Sequence, residues 1–141
     1  MRVLFICKYN AGRSRMAEAF FKKYSKKNEV FSRGIGRNPR LPSSRTGING
    51  SITVMKELGI KIPGGLGSGV TKKDVEDADK VIVLLDKKQM HILPKYVSAS
   101  PKTEYYEIPD SDARASDYLE QKRRNRDLVK AVVLRLVKRL G

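Results

Sequence analysis

VLFICKYNAGRSRMAEAFF, residues 3–21, is the stretch on which the reading of this chain turns. Val3 to Ile6 are apolar at successive positions, as in a parallel strand covered on both faces. From Arg13 to about Lys27 the pattern becomes helical, with Met16, Ala17, Phe20, Phe21 and Tyr24 at i, i+3, i+4 spacing. Between strand and helix lies a polar turn that begins at Cys7, the single cysteine of the chain. One cysteine cannot form an internal disulfide, so this thiol needs another explanation.

The turn has the parts of an anion site. A helix N-terminus carries partial positive charge and unpaired N–H groups, and a tight turn before it can curl more of them inward. Asn10 tolerates left-handed backbone and can bind neighbouring backbone groups. Gly12 permits close approach of backbone and ligand. Arg13 offers a planar fork that can pair two phosphate oxygens. Cys7 would sit beneath the anion among these donors, which favour its thiolate, and Ser14 could donate a hydrogen bond to the sulfur. A Walker-type nucleotide loop fits less well. GGLGSG (64–69) has no lysine followed by Ser or Thr and comes after no convincing strand.

Beyond this stretch, Glu29 to Ser32 reads as a second strand and residues 34–47 as a loop rich in Gly, Pro and Ser. Ile48 to Leu58 reads as a helix closed by Gly59. Residues 62–70 form another glycine-rich loop. Thr71 to Asp77 reads as a short helix, with Thr71 as N-cap and Asp74 in its first turn. KVIVLLD (80–86) is the clearest strand, with an acid at its end. Gln89 to Leu93 reads as a short helix stopped near Pro94, and TEYYEI (103–108) as the last strand. Leu119 to Leu140 is a long amphipathic helix with Val129, Val132, Val133, Leu136, Val137 and Leu140 on one face. This alternation implies an α/β domain, a parallel sheet with helices on both faces. Ligands of such sheets bind beyond the carboxyl ends of the strands, so Cys7, Asp86 and Asp110 should gather on one edge.

Composition narrows the function less. A chain of 141 residues suggests one domain, residues 1–141, with one core. No apolar run reaches the roughly 18 residues of a membrane span, and the N-terminal apolar run is too short for a secretory signal, so a cytoplasmic location and no membrane partner are expected. Thirty Lys and Arg face fifteen Asp and Glu, a formal net charge of +15. Such charge attracts anions, but it is spread along the chain and no nucleic-acid-binding motif accompanies it, so nucleic acid is not the expected partner. No convincing metal cluster is present, and no cofactor or metal is expected.

Residues 3–21 resemble the N-terminal signature of the low-molecular-weight protein tyrosine phosphatase family, which also includes arsenate reductase relatives. GINGSITVMKELGIKI, TKKDVEDADKVIVLLDKKQ and EIPDSDARASDYLEQKRRNRDLV are similar to later segments of that family. The resemblance spans nearly all of the chain. It implies a three-layer flavodoxin-like domain of the phosphatase I type, with a four-stranded parallel sheet. It implies a cysteine-dependent, metal-independent phosphatase acting on phosphotyrosine proteins or small aryl phosphates, with inorganic phosphate as product. Cys7 would attack phosphorus and form a cysteinyl-phosphate. Arg13 and the backbone from Lys8 through Tyr9, Asn10, Ala11 and Gly12 would hold the phosphoryl group, with Asn10 ordering the loop and Ser14 stabilising the thiolate. Asp110 would be the general acid, with Asp112 the alternative.

The chain departs from the family pattern at three places. Ser111 stands where the family usually has proline after the acidic residue. Gly12 stands where many members carry a second cysteine, so a disulfide with Cys7 is absent. Gly64-Gly65-Leu66 stands where many have Gly-His-Arg, so a histidine brace of the active-site loop is missing. Lys8 and Tyr9 are read as walls of the crevice, Lys8 favouring acidic flanks and Tyr9 stacking on an aromatic leaving group. Tyr105 and Tyr106 are assigned to packing and His91 to the surface or packing. Asp86 either bonds near the site or caps the short helix after it. Two other readings stay open: arsenate reduction resolved by an external thiol, and a non-catalytic phosphoanion-binding protein.

Overall fold

In the computed structural model residues 1–35 and 42–141 are described, with only the backbone for 42–47. Four parallel strands form one sheet: β1 (Arg2–Cys7), β2 (Glu29–Gly34), β3 (Lys80–Leu85) and β4 (Thr103–Glu107), in the order β2-β1-β3-β4. The strands are joined by α1 (Arg13–Tyr24), α2 (Pro42–Lys56), α3 (Lys72–Asp77), a 3-10 turn (Lys87–Ile92) and α4 (Lys95–Ser98); α5 (Tyr118–Leu140) ends the fold. The α/β class and the four-stranded parallel sheet are as expected.

The strand sequences build three layers directly. Side chains alternate across a strand. Val3 and Phe5 therefore join Ile82 and Leu84 in the core beneath α1, α2 and α5. Leu4 and Ile6 join Val81, Val83 and Leu85 in the core beneath α3 and α4. Both faces are apolar, hence the unbroken apolar runs of β1 and β3. Register pairs Val3 with Val30 on one side and with Lys80 on the other. The strand order thus reverses at β1, and the crevice at its carboxyl end opens beside Cys7.

Local signals shaped most boundaries. Gly59, at φ 71°, closes α2: Ile60 N–H donates to Met55 O and Gly59 N–H to Lys56 O, the paired bonds of a left-handed helix stop. Thr71 caps α3 reciprocally with Asp74. Three expectations are corrected. The loop read over 34–47 gives Gly34 to β2, and α2 begins at Pro42, six residues before Ile48; residues 36–41 lie outside the described residues. Proline suits a first helical turn, where its missing N–H would have no partner anyway. The helix read over Gln89–Leu93 is a 3-10 turn from Lys87, and α4 comes after Pro94 as a further single turn. Helix α1 stops at Tyr24, where Ser25 is already extended. Among the described residues no helix is long and apolar enough to cross a membrane.

Candidate active site

The turn after β1 is held from outside, which leaves its amides free to face inward. Ile35 N–H donates to the carbonyls of both Cys7 (3.1 Å) and Lys8 (2.8 Å). Arg15 reaches Asn10 O at 3.3 Å, Ser51 donates to Ala11 O at 2.9 Å, and Met16 N–H takes Gly12 O at 2.9 Å. Asn10 sits at φ 53°, the one positive-φ non-glycine among the described residues. With the carbonyls occupied behind the loop, the amides of Asn10 and Ser14 point at Cys7 Sγ.

Cys7 is buried, with Sγ 2.9 Å from Ser14 Oγ. Asn10 Nδ2 donates to Ser14 Oγ at 2.9 Å and to Ser32 Oγ at 2.9 Å, and Ser32 in turn donates to Glu18. An amide nitrogen only donates, so the Ser14 oxygen accepts there and its proton is free to point at sulfur. Burial pushes the Cys7 thiol pKa up. The Arg13 charge, the Ser14 hydroxyl and the amides of Ser14 and Asn10 together outweigh it and hold the thiol below its ordinary value.

Arg13 is also buried, and the carboxyl edge of the sheet orients it. Its Nη1 donates to Gln89 Oε1 (2.9 Å) and Ile108 O (3.0 Å), and Nη2 lies 3.5 Å from Asp110 Oδ1. Gln89 Nε2 donates to Asp110 Oδ2 at 2.9 Å. The structure therefore brings Cys7, Asn10, Arg13, Ser14 and Asp110 together. Asp112 stands apart: its carboxylate accepts Arg114 N–H and its own N–H goes to Gln121, a turn role. Asp86 caps the 3-10 turn through Lys88 N–H, and its link to the site runs through Gln89, which accepts Asp86 N–H. His91 is exposed. Tyr105 is exposed, and Tyr106 packs against the core beneath α5. The Lys8 ammonium lies 4.9 Å from the centre of the Tyr9 ring.

Several contributors escaped the sequence reading. In place of a histidine brace, Ser68 N–H donates to Asn10 Oδ1 at 3.1 Å. Gly67 presses so closely that a Cβ there would stand 2.5 Å from Asn10 O and 2.7 Å from Tyr9 O, so any side chain would displace the loop. The glycine run 64–69 was a visible signal of close approach, though not of what it approached. On α5, Lys122, Asn125 and Arg126 are buried polar residues in register with Val129, Val132, Val133 and Leu136. Asn125 Nδ2 donates to Pro109 O at 2.7 Å, which holds the chain just before Asp110. The signal was periodic: the buried stripe continues two turns beyond its last apolar residue. Among the described residues no group of three or more His, Cys, Asp or Glu gathers that could hold a metal ion.

At the switch point of this parallel sheet the structure sets a buried thiol beside a buried arginine and two inward-facing backbone amides. The chain belongs to the low molecular weight phosphotyrosine protein phosphatase family, whose model matches residues 2–139. The structure is similar to an arsenate reductase in the phosphate binding state, at 30% identity and a TM-score of 0.77, covering 99% of this chain and 98% of that one. It is similar to Vibrio vulnificus Wzb in complex with benzylphosphonate, at 22% identity and a TM-score of 0.79, covering 98% and 97%. It is also similar to the YwlE arginine phosphatase from Geobacillus stearothermophilus, at 25% identity and a TM-score of 0.73, covering 99% and 92%. No curated protein matches the chain.

Proposed function

We propose that this protein is a cysteine-dependent phosphatase that hydrolyses phosphotyrosine or aryl phosphate monoesters through a cysteinyl-phosphate. The observation that carries the reading is the Cys7–Ser14–Asn10 arrangement, in which a hydroxyl that accepts from Asn10 lies 2.9 Å from a buried sulfur and has its proton free to donate to it. These surroundings favour the thiolate, the nucleophilic form of the sulfur. It attacks phosphorus, and the ester oxygen leaves with a proton from Asp110. Arg13 and the loop amides carry the charge that develops on the equatorial oxygens. Asp110 then takes a proton from water as the water attacks the cysteinyl-phosphate. Inorganic phosphate is released and the thiolate is restored. Asp110 is chosen over Asp112 because it faces Arg13, while Asp112 is engaged in its own turn.

The test is hydrolysis of para-nitrophenyl phosphate in the presence of EDTA. Wild type should turn over, and Cys7→Ser should lose at least about a thousandfold in rate while still binding phosphate. Asp110→Asn should slow poor leaving groups more than good ones, because only the former need the proton. Wild type without turnover would sink the reading; arsenate-dependent oxidation of an added thiol would then replace it with arsenate reduction.

A further inference from the structure

Lys122 does not belong to the site as read from sequence, yet its ammonium ends against the loop. It is buried on α5, and its Nζ lies 2.6 Å from the place a Cβ on Gly12 would occupy. The absent side chain of Gly12 is therefore the space through which the lysine reaches the backbone beside Arg13. The Lys122 ammonium donates to Ser51 Oγ at 3.2 Å, and the Ser51 hydroxyl donates to Ala11 O at 2.9 Å. A cation, a hydroxyl and a loop carbonyl thus form a chain from α5 through α2 to the turn that would cradle the anion.

A buried ammonium needs negative charge nearby. Among the described residues, the titratable and charged groups that face it are Cys7 from β1, Arg13 from α1, Asp110 from the loop after β4 and Tyr118 from its own helix. Burial lowers the lysine's pKa to about 8, Cys7 and Asp110 pull it back up, and Arg13 pushes it down. Tyr118, pushed up to about 12, stays neutral. The attraction between Cys7 and Lys122 is mutual, so what raises the lysine also favours the thiolate. When Asp110 holds the proton it delivers, the charges left among these groups are the thiolate against two cations. That leaves one net positive charge for an incoming dianion, and none without Lys122.

We propose that Lys122 is a positioning residue of the oxyanion site: a second buried cation that acts across the Gly12 backbone and through Ser51 to favour both the Cys7 thiolate and a bound dianion. The proposal rests on the phosphatase reading for its purpose, but its test does not need turnover. In Lys122→Met the pH profile of Cys7 alkylation by iodoacetamide should move up by about half a unit to one unit. In a Cys7→Ser background, where sulfur no longer titrates, Lys122→Met should weaken sulfate binding roughly three- to tenfold below pH 8. Sulfate affinity of the single Cys7→Ser variant should fall as pH rises through the titration of the lysine, and that fall should vanish in the double variant. Lys122→Gln keeps a donor for Ser51 without the charge, and should behave like Lys122→Met. Unchanged alkylation and sulfate binding in both neutral variants would overturn the proposal, as would a Gln variant that matches wild type. If these shifts occur in a protein that hydrolyses no phosphate ester, the phosphatase reading fails and the cation role stands.

Discussion

The two halves of α5 present the same buried stripe to the same core and use it differently. From Val129 to Leu136 the stripe is apolar and fills the space under β1 and β3. From Lys122 to Arg126 it is polar. Lys122 reaches the loop, Asn125 holds Pro109, and Arg126 reaches Val54 O on α2 and Glu57 just beyond it. One helix is thus anchored by its C-terminal half and uses its N-terminal half to arrange the carboxyl edge of the sheet. Burial alone therefore does not separate core from site. In the C-terminal half burial holds the protein together. In the N-terminal half it places charge and hydrogen bonds, and at Lys122 it opposes stability.

Substitutions can test whether the halves are separable, and the largest expected effect lies in the apolar one. Leu136 is fully buried, so Leu136→Ala should cost about 2 to 5 kcal/mol in denaturant unfolding, with kcat per folded molecule unchanged. A comparable loss of kcat would show that the two halves act as one.

Lys122→Met should have the opposite sign. At neutral pH the lysine must stay charged while buried, so its removal should raise stability by up to about 3 kcal/mol, the free-energy equivalent of its lowered pKa. Between about pH 8 and 10.5 the unfolded chain holds this proton and the folded chain does not. Raising pH through that window therefore favours the native state of wild type. The gap between variant and wild type should close toward pH 10.5, as followed by chemical denaturation across the window. A variant less stable than wild type at pH 7 would show that the ammonium is a net stabilising contact.

Asn125→Ala should have the smallest effect and separates the roles of the polar half most finely. Loss of its bond to Pro109 should cost about 1 kcal/mol, seen as a roughly fivefold lower kcat for poor leaving groups with KM little changed. An equal loss for good leaving groups would mean that Asn125 does not act through Asp110.

Much of the site lay in consecutive residues. Cys7, Asn10, Arg13 and Ser14 share one turn, and the chemistry of a strand, a tight turn and a helix N-terminus comes from local backbone rules. Asp110 was reached with Asp86 as a strand-end acid, because parallel strands deliver their carboxyl ends to one edge, and only the family resemblance singled it out. Gln89, Ser51, Asn125 and Lys122 were not legible, since each is an ordinary polar residue whose partner lies far away in sequence. Ser51 and Lys122 are 71 positions apart, and Arg13 and Gln89 are 76.

Local sequence was enough to specify the α/β alternation, the apolar strands, the caps at Gly59 and Thr71, and a thiol that opens a turn shared with Asn10, Gly12 and Arg13. These depend on periodicities and turn preferences that act over a few residues. Only the folded chain selects which carboxylate faces the arginine, how Asn10 is braced, and that α5 sends an ammonium to the back of the loop. Those outcomes depend on distances across the sheet and between helices, which packing sets and no local pattern encodes.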